Sequence, residues 1–220
     1  SRKDPMGFKA TYLHFAVIVG GLLAATHAWS AEPVALVGFG DSLMAGYQLP
    51  QEDALPARLE KALVAEGLPV TITNAGVSGD TSAAGLARVD WSVPDGTKGV
   101  ILELGANDSL RGIPPEETEK NLDAIIGRLK ERGIAVLLVG TLAPPNMGPD
   151  YAERFNPIYP RLAEKHGVGL YPFVLDGVVT RPELQLEDGM HPNAKGVATM
   201  VERMTPAVRT FVTGLGAPSN

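Results

Sequence analysis

The chain contains no cysteine. That absence removes thiol nucleophiles, cysteine-ligated zinc, iron–sulfur centres and the acylated cysteine of a bacterial lipoprotein together. Any chemistry must therefore run on oxygen or nitrogen groups. Positive charge is also scarce: 19 Lys+Arg stand against 25 Asp+Glu, a formal −6, which argues against a surface able to hold a nucleic acid backbone. The expected partner is a small molecule. Low-complexity segments, internal repeats and linkers are missing. A length of 220 residues with 45% hydrophobic and 20% charged content fits one globular domain that needs no covalent staples.

The longest apolar run is shorter than a membrane anchor needs, so a cleaved signal is expected over the alternative of a retained anchor. The run from about Ala10 to Ala25 contains His14 and lacks a positive stop beyond it, whereas a span needs about 20 apolar residues. Arg2, Lys3 and Lys9 precede the run, and Ala28, Ser30 and Ala31 follow it. This is the layout of a secretory signal, so residues 1–30 are expected to be a signal peptide cut near Ser30. Ser1–Pro5 stand before Met6, an alternative initiator, and read as added or upstream residues. Removing residues 1–30 takes away Arg2, Lys3, Lys9 and Asp4, which leaves 16 basic and 24 acidic residues, a formal −8. The expectation is an acidic periplasmic or secreted protein with no stable membrane anchor after processing. A cysteine-free chain suits that oxidising setting.

From Val34 onward, short apolar runs alternate with longer amphipathic stretches: 34–39, 70–77, 99–105, 135–142 and 168–175. Continuous hydrophobicity marks strands buried on both faces, so these read as five parallel strands of an α/β sheet. Leu55, Leu59, Ala62 and Leu63 share one helical face, as do Leu122, Ile125, Ile126 and Leu129. Pro114-Pro115 with Glu116 and Glu117 marks a helix start, Gly133 marks its stop, and a last helix is expected from about Asn193 to Val212. Residues 31–220 form one domain in this reading, with functional loops at the carboxyl ends of the strands.

Those loops hold the residues that carry chemistry. The first strand runs into Gly38-Phe39-Gly40-Asp41-Ser42-Leu43-Met44, which places a serine at a strand-to-helix turn. It is not a G-x-S-x-G elbow, because Met44 stands at the second glycine position, and a serine there also serves as a helix cap. A serine nucleophile needs a base, and residues 31–220 contain two histidines, His166 and His191. His166 closes a predicted helix as a cation at its negative end. His191 lies in Asp188-Gly189-Met190-His191-Pro192, where Asp188 can fold back onto one ring nitrogen while the other faces the serine. The alternative is a loop with an Asx turn and an exposed histidine. Gly79, in Ser78-Gly79-Asp80-Thr81, and Asn107, in Gly105-Ala106-Asn107-Asp108, can supply oxyanion donors, or else these segments are a cap and a turn.

These four blocks, in this order and across nearly all of residues 34–210, resemble the GDSL or SGNH hydrolase family. The segments 75–82, Gly85-Leu86-Ala87-Arg88, 102–105, Leu110-Arg111-Gly112 and Ile158-Tyr159-Pro160 resemble its thioesterase, lysophospholipase and arylesterase branch. The resemblance implies Ser42 as nucleophile, His191 as base and Asp188 as its orienter. It implies an oxyanion hole from the backbone N–H groups of Ser42 and Gly79 and the side chain of Asn107, on a flavodoxin-like three-layer α/β/α sandwich. Asp41, Leu110, Leu142, Pro144, Met147 and Met190 are the expected substrate contacts, and no metal or cofactor is implied. Ala106 departs from the family's usual second glycine, which would strain the loop if that position needs positive φ.

The leading function is hydrolysis of carboxylic esters and thioesters through an acyl-enzyme, with sugar O-deacetylation as an alternative. Asp41, Asp80, Asp108 and Asp188 at strand ends leave metal-dependent phosphoester hydrolysis open. A non-catalytic acyl or glycan binder on the same fold is the third reading.

Overall fold

The computed structural model describes residues 32–216. The expected signal peptide, its cut near Ser30 and the Met6 start lie outside the described residues. Strand β1 (Val34–Gly40) leads into a short helix α1 (Ser42–Ala45), followed by α2 (Leu55–Ala65), β2 (Val70–Gly76), α3 (Ser82–Ser92) and β3 (Gly99–Glu103). Then come α4 (Ala106–Leu110), α5 (Pro115–Glu131), β4 (Ala135–Val139), α6 (Pro149–Phe155), α7 (Ile158–His166), β5 (Gly169–Tyr171) and α8 (Ala194–Leu215). The five strands are all parallel, in the order β2-β1-β3-β4-β5.

Alternate residues of the inner strands enter two different cores. Leu36, Ile101, Leu137 and Val139 face α1, α2 and α8, while Val37, Phe39, Val100, Leu102 and Leu138 face α3, α5, α6 and α7. A strand covered on both sides has no polar face to alternate, which explains the unbroken apolar runs. Leu55, Leu59 and Leu63 recur every fourth residue on α2 and are fully buried, each worth roughly 1.5–3 kcal/mol of burial. In α5 the acids Glu116 and Glu117 occupy the first turn and Arg128 and Lys130 the last, which matches the helix dipole at both ends.

β3 and β4 end at Glu103 and Val139, short of the expected 105 and 142, and two further strands differ from expectation. β2 alternates, with Val70 and Ile72 buried and Thr71 and Thr73 exposed, because it is an edge strand covered on one face over that stretch. β5 is only three residues long, and the chain after Tyr171 turns away from the sheet. The last helix begins at Ala194 and runs to Leu215, with Asn193 capping it through bonds to the Lys195 and Gly196 N–H groups.

This topology places the site. β1 connects to β2 through α2 on one face, and β2 connects to β3 through α3 on the other. The chain thus departs to opposite sides of β1, and a crevice opens beyond the carboxyl ends of β1 and β3.

Candidate active site

Ser42 is the first residue of α1, directly after the last strand position of β1. Asp41 caps that helix: its Oδ1 accepts the Leu43 N–H at 3.0 Å. The serine hydroxyl is left facing the crevice, where His191 Nε2 lies 2.8 Å from Ser42 Oγ. The other ring nitrogen, Nδ1, lies 2.6 Å from Asp188 Oδ2. Asp188 Oδ1 accepts the N–H groups of Met190 and His191, each at 2.9 Å, which closes a tight turn that aims the carboxylate at the ring. Partial burial raises the Asp188 pKa, but the His191 N–H, the His191 ring and the Met190 N–H outweigh it and hold the carboxyl down at about 2. The pair therefore presents an anion to a ring whose outer nitrogen meets the hydroxyl, the arrangement a general base requires.

The loop after β3 brings Asn107 to the same crevice. Gly105 supplies the left-handed turn, with φ of 119°, and a Cβ there would stand 2.2 Å from the Tyr159 hydroxyl. The position that needs positive φ is therefore Gly105. Ala106 opens α4 in ordinary helical conformation, so it imposes no strain on the loop. The Asn107 amide donates one hydrogen to Asp41 Oδ2 at 3.0 Å, which fixes its plane, and no partner among the described residues takes the second N–H. Gly79 also has positive φ, 88°; its carbonyl accepts from Arg111 at 2.8 Å.

Ser42, Asn107 and His191 line one cavity of about 490 Å³. Of the expected substrate contacts, Asp41, Leu110, Leu142, Pro144 and Met190 line it too. Gly79 does not, and is exposed. Met147 is half-buried and packs against the core formed with α5 to α7, and it is not among the residues that line the cavity. Phe173, Leu175, Val179 and Thr180 supply the opposite wall. Phe173 and Leu175 fall in the run 168–175, which looks like one strand, while the chain leaves the sheet after Tyr171; no motif in the sequence marks Val179 or Thr180. Tyr47 was missed as well; its ring lies 4.4 Å from the His191 ring, and no spacing signals that contact.

The four strand-end aspartates do not converge. Asp41 holds Leu43 and Asn107, Asp80 pairs with Arg88, Asp108 accepts from Ser82 and Thr118, and Asp188 holds His191. Among the described residues no three His, Asp or Glu side chains are grouped to hold a metal ion. His166 is bonded to Asp123 at 2.6 Å at the end of α7, apart from the site. A larger cavity, about 590 Å³, lies at the amino ends of β4 and β5 against α8 and contains no nucleophile paired with a base.

Comparison with known proteins agrees with this architecture. The family model described as GDSL-like Lipase/Acylhydrolase matches residues 39–198. The chain is 43% identical over 168 residues to an arylesterase of Vibrio mimicus, covering 76% of this chain and 84% of that protein. It is 36% identical over 178 residues to thioesterase 1/protease 1/lysophospholipase L1 of Escherichia coli, covering 80% and 84% of the two. The crystal structure of AlinE4, an SGNH-hydrolase family esterase, superposes with a TM-score of 0.70 at 46% identity, covering 82% of this chain and 97% of that one.

Proposed function

The chain belongs to the GDSL-like lipase/acylhydrolase family, and from that membership we propose that Ser42, His191 and Asp188 hydrolyse carboxylic esters and thioesters through an acyl-enzyme. It is an esterase or thioesterase of the SGNH type, and its substrates are small-molecule esters. The observation that carries the residue roles is the relay from Ser42 Oγ through His191 Nε2, at 2.8 Å, to Asp188 on Nδ1, at 2.6 Å.

In the first step Ser42 Oγ attacks the acyl carbonyl while His191 Nε2 takes its proton, and Asp188 stabilises the resulting imidazolium. The charge that develops on the carbonyl oxygen is met by the Ser42 N–H, the Gly79 N–H and the free amide N–H of Asn107. His191 then returns the proton to the departing alkoxide or thiolate, which leaves the serine acylated. Water, deprotonated by the same ring, attacks the acyl-enzyme and restores Ser42. The apolar lining from Leu110, Leu142, Leu175, Val179 and Met190 suits an acyl chain better than a sugar ring, which favours ester and thioester cleavage over O-deacetylation. Residues 1–30 act as a cleaved secretory signal that delivers the acidic domain to the periplasm or exterior, a reading supported by their charge and apolar pattern. No helix among the described residues is long and apolar enough to cross a membrane.

The test is Ser42→Ala, which should lower kcat on a p-nitrophenyl ester by on the order of 10⁴-fold or more with the melting temperature kept. A fluorophosphonate should label Ser42 alone. His166→Ala serves as the control and should keep full activity. Labelling of a different serine, or a tenth of the wild-type rate in a clean Ser42→Ala preparation, refutes the assignment.

A further inference from the structure

Behind the site lies a carboxyl group for which the mechanism has no use. Glu103 ends β3 and is fully buried, as is Asp41. The two strands lie in register there, with Gly40 opposite Glu103, and a Cβ on Gly40 would stand 2.7 Å from Glu103 Oε2. The absence of a side chain at residue 40 is what admits the glutamate. Its Oε2 accepts the Asp41 N–H at a long 3.4 Å, which sets the carboxyl against residue 41, and its Oε1 has no hydrogen-bond partner among the described residues. No lysine or arginine among the described residues bonds either group.

Two adjacent buried anions without a cation are strongly disfavoured, so the pair keeps a proton. The hydrogen bonds decide who holds it. Asp41 accepts from the Leu43 N–H and the Asn107 amide, both at 3.0 Å, contacts that favour a carboxylate. Glu103 has only its single long contact. Burial raises both carboxyls; the hydrogen bonds to Asp41 oppose its rise, whereas burial and the neighbouring Asp41 charge push Glu103 well above the usual carboxylate range.

We propose that Glu103 is a positioning residue: it keeps a proton at neutral pH and donates it to Asp41, so that Asp41 alone bears the charge that caps the Ser42 helix and orients the Asn107 amide. As a neutral donor, Glu103 fixes the Asp41 carboxylate in the rotamer that reaches both Leu43 and Asn107. The Asn107 N–H that is left free then points where an oxyanion forms. This inference rests on Asn107 acting as an oxyanion donor.

Three variants test it. Glu103→Leu removes the donor and should lower kcat by about 10–100-fold with KM within about threefold, the signature of a misplaced transition-state donor. Glu103→Gln keeps a neutral donor of the same shape and should restore kcat to within about threefold of wild type. Infrared difference spectra should show the carbonyl stretch of a protonated carboxylic acid in the wild-type protein at neutral pH, absent from Glu103→Gln. A band unchanged by Glu103→Gln overturns the proposal, as does a Gln variant as impaired as the Leu variant. If Glu103→Leu does not fold, the Gln variant and the infrared band decide the matter. The third variant, Asn107→Ala, isolates the premise. Unchanged kcat there refutes the oxyanion role and with it the route from Glu103 to the chemistry. A large loss there, together with wild-type kcat in Glu103→Leu, refutes the positioning role alone.

Discussion

Replacing Arg88 with leucine removes the side chain that ties two site loops together. The guanidinium is buried; its Nε donates to Asp80 Oδ2 at 2.6 Å, Nη2 to the Gly40 carbonyl at 2.9 Å and Nη1 to the Ala75 carbonyl at 2.9 Å. It also lies 4.0 Å over the Phe39 ring. Gly40 immediately precedes the Asp41 cap, and Asp80 immediately follows Gly79, so one residue links the turn that carries Ser42 to the loop that carries Gly79. The side chains of Arg88 and Asp80 are only 8% and 13% exposed, so the pair behaves as a buried ion pair rather than a screened surface one. Removing one member of a buried pair costs about 3–5 kcal/mol, because Asp80 is left charged and unpaired. The Gly40 carbonyl keeps a second donor, the Val77 N–H at 3.0 Å, so little needs adding for it. In a domain of about 150–250 residues each kcal/mol moves Tm by roughly 2–4 °C, so Arg88→Leu should melt about 6–20 °C below wild type. Arg88→Lys can keep the charge beside Asp80 but not the fork to the two carbonyls, and should fall between. Thermal unfolding followed by circular dichroism reads both. A Leu variant that melts within about 3 °C of wild type, under about 1–1.5 kcal/mol, refutes the clamp.

Asn107→Ala should show two losses at once, because its amide also satisfies buried Asp41. kcat should drop about 10²–10³-fold with KM little changed, and Tm should fall by an amount matching roughly 1–3 kcal/mol for the orphaned acceptor. Steady-state kinetics and a melt on one preparation check both, and a Tm loss with intact kcat would reduce Asn107 to loop structure. Asp188 gives an acid-range prediction. Its carboxyl sits at about 2 in the fold against an ordinary value of 3.8, so its contribution to stability is present above about pH 4 and is lost as the pH falls toward 2. Asp188→Asn lacks that contribution, so the Tm gap between wild type and variant should close over this window; a gap that widens on acidification contradicts the pairing with His191.

What local pattern can carry, the chain displays openly. Buried strands show as apolar runs, α2 and α5 show as four-residue recurrences with charges matched to their ends, and the Asp188 to His191 pairing spans only three positions. Such features depend on period, dipole and turn chemistry over a few residues, which any reader of the sequence can apply. The serine and histidine motifs were likewise visible as motifs. The alternation of β2 and the early ends of β3, β4 and β5 escaped that pattern, because edge position and strand length depend on neighbours that it does not name.

Tertiary structure alone decided which of these parts meet. Ser42 and His191 are 149 positions apart and reach 2.8 Å because parallel crossovers order the sheet β2-β1-β3-β4-β5 and bring the last loop over the first strand. The Asn107 contact with Asp41, the Tyr47 ring on His191 and the carboxyl of Glu103 beside Asp41 all arise across strands or loops, where spacing along the chain carries no information. Phe173 lines the cavity rather than continuing a buried strand for the same reason. Hydrophobicity says that a side chain leaves water, while the path of the backbone decides whether it enters the core or lines the cavity.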